Sequence, residues 1–127
     1  MENLLIEKTN QTPEINFNKE SGFLSFKGRS LPEDSATFYK PVFDWLNQYI
    51  ENLPSKTEVE FELDYFNTSS AKAIFSIINK FDKLYQTSHP VSIRWKYDED
   101  DEDMRDLGNE YKDLFKLPIE LSKITNE

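Results

Sequence analysis

Asn67, Thr68, Ser69 and Ser70 stand together where an alternating segment gives way to a helical one. Such residues cap helices, because a side-chain oxygen accepts a hydrogen bond from a free N–H of the first turn. One side chain is enough for a cap, so three consecutive hydroxyls leave a surplus. A hydroxyl at this place can also carry a phosphate. There the anion meets free N–H donors and the positive end of the helix dipole. It adds about −1.5 to −2 charges without requiring the domain to unfold. The residues alone leave both readings open, plain cap and modified switch.

A second group is Asp98, Glu99, Asp100, Asp101, Glu102 and Asp103, with Asp106 beyond it. An EF-hand loop needs Gly at its sixth position and Glu at its twelfth. Counted from Asp98 these are Asp103 and Asn109, so that motif is rejected. The remaining readings are a solvated lead into a helix, whose N-terminus favours carboxylates, a docking surface for a basic partner, and a weak magnesium site. A third group, Glu58, Glu60, Glu62 and Asp64, repeats with period two. That pattern describes the wet face of a strand better than an acid/base pair, which needs two carboxyls with separated pKa values in a cleft.

Composition removes many alternatives. There is no cysteine, hence no disulfide, thiol nucleophile or thiolate metal site. The single histidine, His89, precedes Pro90 in a loop and has no partners for a triad or a zinc site. Gly22, Gly28 and Gly108 are too scattered for a phosphate-binding loop. Lys plus Arg is 15 against 24 Asp plus Glu, a net charge of −9. That disfavours nucleic acid and anionic membranes as partners. Six of the 24 carboxylates form the run Asp98–Asp103, leaving 18 against 15 bases elsewhere, a net of −3. No cofactor or metal is expected. Neither a signal peptide nor an 18-residue apolar span is visible, so a cytoplasmic protein without membrane insertion is expected.

The 127 residues suit one domain over 1–127, with a core from about residue 13 to 121. Glu14–Asn18 and Phe23–Lys27 read as a hairpin closed by Lys19-Glu20-Ser21-Gly22. Gly28–Asp34 reads as a loop. Ser35–Leu53 carries a helical stripe of Phe38, Val42, Trp45, Leu46, Tyr49, Ile50 and Leu53, interrupted by Pro41. Pro41 implies a start near Lys40 or a kink. Thr57–Tyr65 alternates Val59, Phe61, Leu63 and Tyr65 with acids. A second helix buries Ile74, Ile77, Ile78, Phe81, Leu84 and Tyr85. Val91–Tyr97 alternates again, a third helix spans about Asp101 to Lys116, and Leu117–Leu121 reads as a last edge strand.

The order β-β-α-β-α-β-α-β implies parallel neighbours joined by right-handed crossovers. Strands with one polar face each imply an α/β fold of two layers, a mixed β-sheet with helices mainly on one face. If the third and fourth strands are neighbours, Glu60, Glu62 and Asp64 lie beside Arg94 and Lys96 on the wet face.

Several segments together resemble a known family. They are Gly22-Phe23-Leu24-Ser25-Phe26-Lys27-Gly28-Arg29-Ser30-Leu31-Pro32-Glu33-Asp34, Phe38-Tyr39-Lys40-Pro41 and Trp45-Leu46, then Asp64-Tyr65-Phe66-Asn67-Thr68-Ser69-Ser70-Ala71-Lys72 and Asp100-Asp101-Glu102-Asp103-Met104. From about Pro13 to Leu117 the chain resembles the SiaC family of bacterial regulatory phosphoproteins. The resemblance implies a STAS-like fold, similar to anti-sigma-factor antagonists, and a partner-switching role without catalysis. It implies a Ser/Thr kinase and a PP2C-type phosphatase as partners, and a diguanylate cyclase linked to biofilm formation as output. Carried over by position, it makes Thr68 the phosphoacceptor, with Asn67, Ser69 and Ser70 as neighbouring switch residues. The run Asp98–Asp103 becomes a docking candidate. On the residues alone, a small metal-dependent enzyme or metal-binding protein using the acidic run, and a constitutive scaffold, stay open.

Overall fold

The computed structural model describes residues 1–125. Along them run β1 (Leu4–Ile6), β2 (Glu14–Asn18), β3 (Phe23–Ser30), α1 (Ser35–Tyr49), β4 (Thr57–Phe66), α2 (Thr68–Gln86), β5 (Val91–Asp98), α3 (Glu102–Leu114) and β6 (Ile119–Ile124). The strands form one sheet in chain order. β1–β2 and β2–β3 are antiparallel, and the pairs from β3 to β6 are parallel. From β3 onward the sheet grows in one direction through three crossovers. Right-handed crossovers must then lay α1, α2 and α3 on the same face. This is the expected two-layer mixed sheet.

The core lies between sheet and helices. Phe26 on β3 is in register with Phe61 on β4, and Phe61 with Trp95 on β5. Phe26 and Phe61 stack at 4.5 Å, and Phe17 meets Phe26 edge-on at 5.2 Å. Such pairs add about 0.5–1.5 kcal/mol each beyond area burial. Trp45 and Tyr49 of α1 pack above, and Ile74, Ile77 and Ile78 of α2 are fully buried. α3 approaches closely because Gly108 faces Trp95: an added Cβ would sit 2.5 Å from Trp95 Cδ1. The Trp95 indole also donates to the Met104 carbonyl at 3.0 Å.

On the other face Glu60 is opposite Arg94 and Glu62 opposite Lys96, as the alternation predicts. Lys96 Nζ lies 2.9 Å from Glu60 and 3.3 Å from Glu62. Asp64 does not join this row. The β3–β4 register shifts there: Gly28 pairs with Leu63, but Arg29 pairs with Tyr65. One extra residue reverses the side-chain phase, so Tyr65 is 56% exposed instead of continuing the buried series.

Other expectations need correction. β3 does not end at Lys27 but runs through Gly28 to Ser30. Gly28 takes φ +126°, a backbone that glycine adopts without a Cβ penalty. β1 precedes the expected core, and three residues are too few to show a period. It is tied down where the Trp45 indole donates to the Glu2 carbonyl at 2.8 Å. The last strand is Ile119–Ile124, while Leu117 is a buried loop residue. Both Leu117 and Lys116 donate their N–H groups to Asp82 Oδ1 at 2.9 Å. α1 includes Pro41, which lies on its exposed side. It ends at Tyr49, short of Leu53. Tyr85, expected on the buried face of α2, is 36% exposed.

Candidate functional site

The parallel strands β3, β4 and β5 all end at one edge of the sheet, and each leads into a helix. Three N-termini are therefore gathered there, each with an Asx cap. Asp34 Oδ1 accepts from Thr37 N at 3.2 Å, Asn67 Oδ1 from Ser70 N at 2.9 Å, and Asp101 Oδ1 from Met104 N at 3.0 Å. The Thr37 hydroxyl, then its N–H, hold the Asp34 carboxyl below its ordinary pKa. α1 and α3 thus begin with a carboxylate, and α3 adds Glu102 and Asp103 in its first turn. α2 has a neutral cap and no acid in its first turn. Its positive end is the one not already answered by a negative side chain.

The three hydroxyls after Asn67 have separate surroundings. Ser70 is fully buried, accepts from Ser30 at 2.8 Å and lies 3.3 Å from the Ser35 hydroxyl. Ser69 shares a 2.7 Å hydrogen bond with Ser35 and donates to Asn67 Oδ1 at 3.2 Å. Thr68 is exposed, and its hydroxyl makes no hydrogen bond among the described residues. Lys72, one turn further along α2, is exposed and without an ion pair among the described residues. A groove between α1 and α2 opens beside Ser69 and Lys72, with Phe43 on its wall.

Behind the surface the hydroxyls continue inward. Ser30 also shares a 2.6 Å hydrogen bond with the Tyr39 phenol. Burial raises the Tyr39 pKa, partly offset by its bonds to Ser30 and Ser70, so the phenol stays protonated. Ser30, Ser35 and Tyr39 join the end of β3 and the start of α1 to the start of α2. Sequence reasoning missed them. The available signal was Ser30, which is in phase with Leu24, Phe26 and Gly28 once the strand is carried past Lys27.

The acidic run is spread over three elements and does not converge. Asp98 ends β5 and accepts from the Asp100 N–H at 3.0 Å. Glu99 donates its N–H to the Ile124 carbonyl, and Asp101 caps α3. Asp100, Glu102 and Asp103 are directed to solvent or its border. Among the described residues no group of three or more His, Asp or Glu side chains is placed to hold a metal ion. His89 is structural: its Nε2 lies 2.9 Å from the Thr57 hydroxyl, which is 2.7 Å from the Tyr49 phenol. No helix among the described residues is long and apolar enough to cross a membrane.

The described residues form a small α/β domain, a two-layer mixed sheet with a capped, hydroxyl-rich helix start. The chain belongs to the SiaC family of regulatory phosphoproteins, whose family model matches residues 6–124. It is therefore a regulatory protein and not an enzyme. The chain is similar to an uncharacterized protein of Pseudomonas aeruginosa (strain UCBPP-PA14), 34% identical over 119 residues, or 94% of each chain. Its fold is similar to that of SiaC of Pseudomonas aeruginosa, with a TM-score of 0.89 and 31% identity over 98% of this chain and all of that one. It is likewise similar to a chain in the crystal structure of the diguanylate cyclase SiaD in complex with its activator SiaC, also from Pseudomonas aeruginosa. There the TM-score is 0.90, with 32% identity over 95% of this chain and 99% of that one.

Proposed function

We propose that the chain is a phosphorylation-controlled interaction module whose acceptor is Thr68 and whose output partner is a diguanylate cyclase. The observation that carries this reading is the contrast among three adjacent hydroxyls. Ser70 is buried and Ser69 is bonded, whereas Thr68 is exposed and its hydroxyl has no hydrogen bond among the described residues. A Ser/Thr kinase transfers the terminal phosphoryl of ATP to Thr68 Oγ1, and the hydroxyl proton leaves with release of ADP. A PP2C-type phosphatase adds water, restores the hydroxyl and frees inorganic phosphate. The phosphate sits at the start of α2, whose first turn carries no acid and where Lys72 is one turn away. The cyclase assignment rests on the similar Pseudomonas chain solved with such an enzyme. These partners imply a cytoplasmic site of action.

The dianion acts at the interface. A partner fitted to a neutral threonine would bury an unpaired charge, at a cost of several kcal/mol. The test is phosphosite mapping of protein isolated from its host, with affinity capture of the cyclase by wild-type, Thr68→Ala and Thr68→Asp baits. Thr68→Ala should lose the phosphate and keep the cyclase, and Thr68→Asp should bind it more weakly. Phosphate found on Ser69 or Ser70 alone would overturn the assignment.

A further inference from the structure

The shifted register at the end of β4 has placed an aromatic ring in water. Bulges recur beside functional sites because they re-aim one side chain. Here the bulge re-aims Tyr65, three residues before Thr68. Tyrosine is enriched in protein interfaces, where a rigid apolar ring carries a polar tip. Its ring borders a groove of about 230 Å³ between the end of β4 and the start of α3, whose other apolar walls are Phe66, Met104 and Leu107. Small-molecule sites usually enclose about 300–1,000 Å³, so this groove suits one or two side chains better than a cofactor. Methionine adds an adaptable wall of the kind used at promiscuous binding surfaces.

The rim supplies the second constraint. Asp64 and Asp103 border the groove and form no ion pair among the described residues. Lys96, the nearby cation on the wet face, is already held by Glu60 and Glu62. Asp101, the cap of α3, also lines the groove, and the adjoining surface continues with Asp100. An apolar floor bordered by Asp64 and Asp103, neither of them ion-paired among the described residues, matches an apolar side chain flanked by cations. A second copy of this chain, at −9, carries the wrong sign.

We propose that the groove formed by Tyr65, Phe66, Met104 and Leu107 is a docking site for a lysine- or arginine-flanked apolar segment of a partner protein. This rests on the reading that the chain works by binding proteins, and is independent of whether Thr68 carries phosphate.

The test uses the full unphosphorylated chain and three short synthetic peptides, followed by amide chemical-shift mapping and titration at two salt concentrations. One peptide has leucine between pairs of lysines and arginines, the second replaces the cations with glutamate, and the third replaces leucine with serine. The first should bind, shift the amides of Tyr65, Phe66, Met104 and Leu107, and weaken as salt rises. The other two should bind at least tenfold more weakly. Tyr65→Ala and the pair Asp64→Asn with Asp103→Asn should each cost about tenfold. Asp100→Asn, outside the groove, should cost less than twofold to threefold. Tyr65 is exposed, so its replacement should leave the fold intact, which the same spectra report. Equal losses from Asp100→Asn would reduce the effect to general charge attraction and overturn the proposal. So would shifts located elsewhere, absence of binding, or sedimentation showing that Tyr65 holds a dimer. Phosphosite mapping is a separate measurement: loss of the Thr68 assignment with retained peptide docking would overturn only the switch.

Discussion

Ser70 and Thr68 are two residues apart, and truncating their side chains should have very unequal costs. Ser70→Ala deletes a fully buried hydroxyl bonded to Ser30 at 2.8 Å and to Ser35 at 3.3 Å. Ser30 keeps Tyr39, and Ser35 keeps Ser69, so neither neighbour is left without a partner. The loss is then two hydrogen bonds at about 0.5–1.5 kcal/mol each. Up to about 0.5 kcal/mol returns through the better helix propensity of alanine. At a central value of about 1 kcal/mol per bond, the net cost should be about 1.5–2 kcal/mol. Thr68→Ala removes an exposed hydroxyl with no hydrogen bond among the described residues, and should stay within about 0.5 kcal/mol of wild type. Urea denaturation followed by tryptophan fluorescence resolves this. With a slope of about 2 kcal/mol per molar, Ser70→Ala should lower the midpoint by about 0.7–1 M and Thr68→Ala by less than about 0.3 M. Equal shifts, or a larger shift for Thr68→Ala, would refute the division of the three hydroxyls into bonded framework and unbonded surface hydroxyl.

Gly108→Ala should destabilise by about 1–3 kcal/mol and alter Trp95 fluorescence, because its Cβ would overlap the indole that α3 packs against. Asp82→Ala should cost about 1–3 kcal/mol and speed amide exchange at Leu117, since it strips the acceptor from a buried N–H, while Asp82→Asn should recover much of the loss. Burial lowers the His89 pKa from its ordinary 6.5, so folding favours the neutral ring. The stability this provides is complete above pH 6.5 and is lost as pH falls through the lower folded-state value. Thermal melts at pH 7.5 and 5.5 should therefore fall further apart for wild type than for His89→Gln.

The elements were legible where periodicity was long. Thr57–Tyr65 and Val91–Tyr97 alternate over enough residues to define strand, face and neighbour, and Glu60 beside Arg94 followed from that alone. The cap cluster Asn67–Ser70 was legible because capping chemistry is local. What escaped depended on contacts distant in sequence. β1 has three residues, and its place is set by pairing with β2 and by the Trp45 indole. The bulge at Asp64 arises between two strands, so no period within β4 alone could reverse Tyr65. Ser30 read as loop polarity because Gly28 signals a break, and Ser35 read only as the start of a helix. In the fold that glycine lets the strand continue and delivers Ser30 to Ser70.

The same geometry bears on how a phosphate at Thr68 would act. The first turn of α2 is fixed by Asn67 and by Ser70, neither of which uses the Thr68 side chain. Adding a phosphate there breaks no contact, so a refolded helix start is not required. Bulk charge is also a poor signal: the chain would pass from −9 to about −11. At physiological salt a charge is felt over about 8 Å, which confines the message to whatever touches the start of α2. With Thr68 phosphorylated, the groove beside Tyr65 would keep its acidic rim and so the attraction proposed for a basic segment. Selection then falls to the contact over Thr68. A partner that closes tightly on a neutral threonine is displaced by phosphate, and one that offers arginine or lysine there is retained.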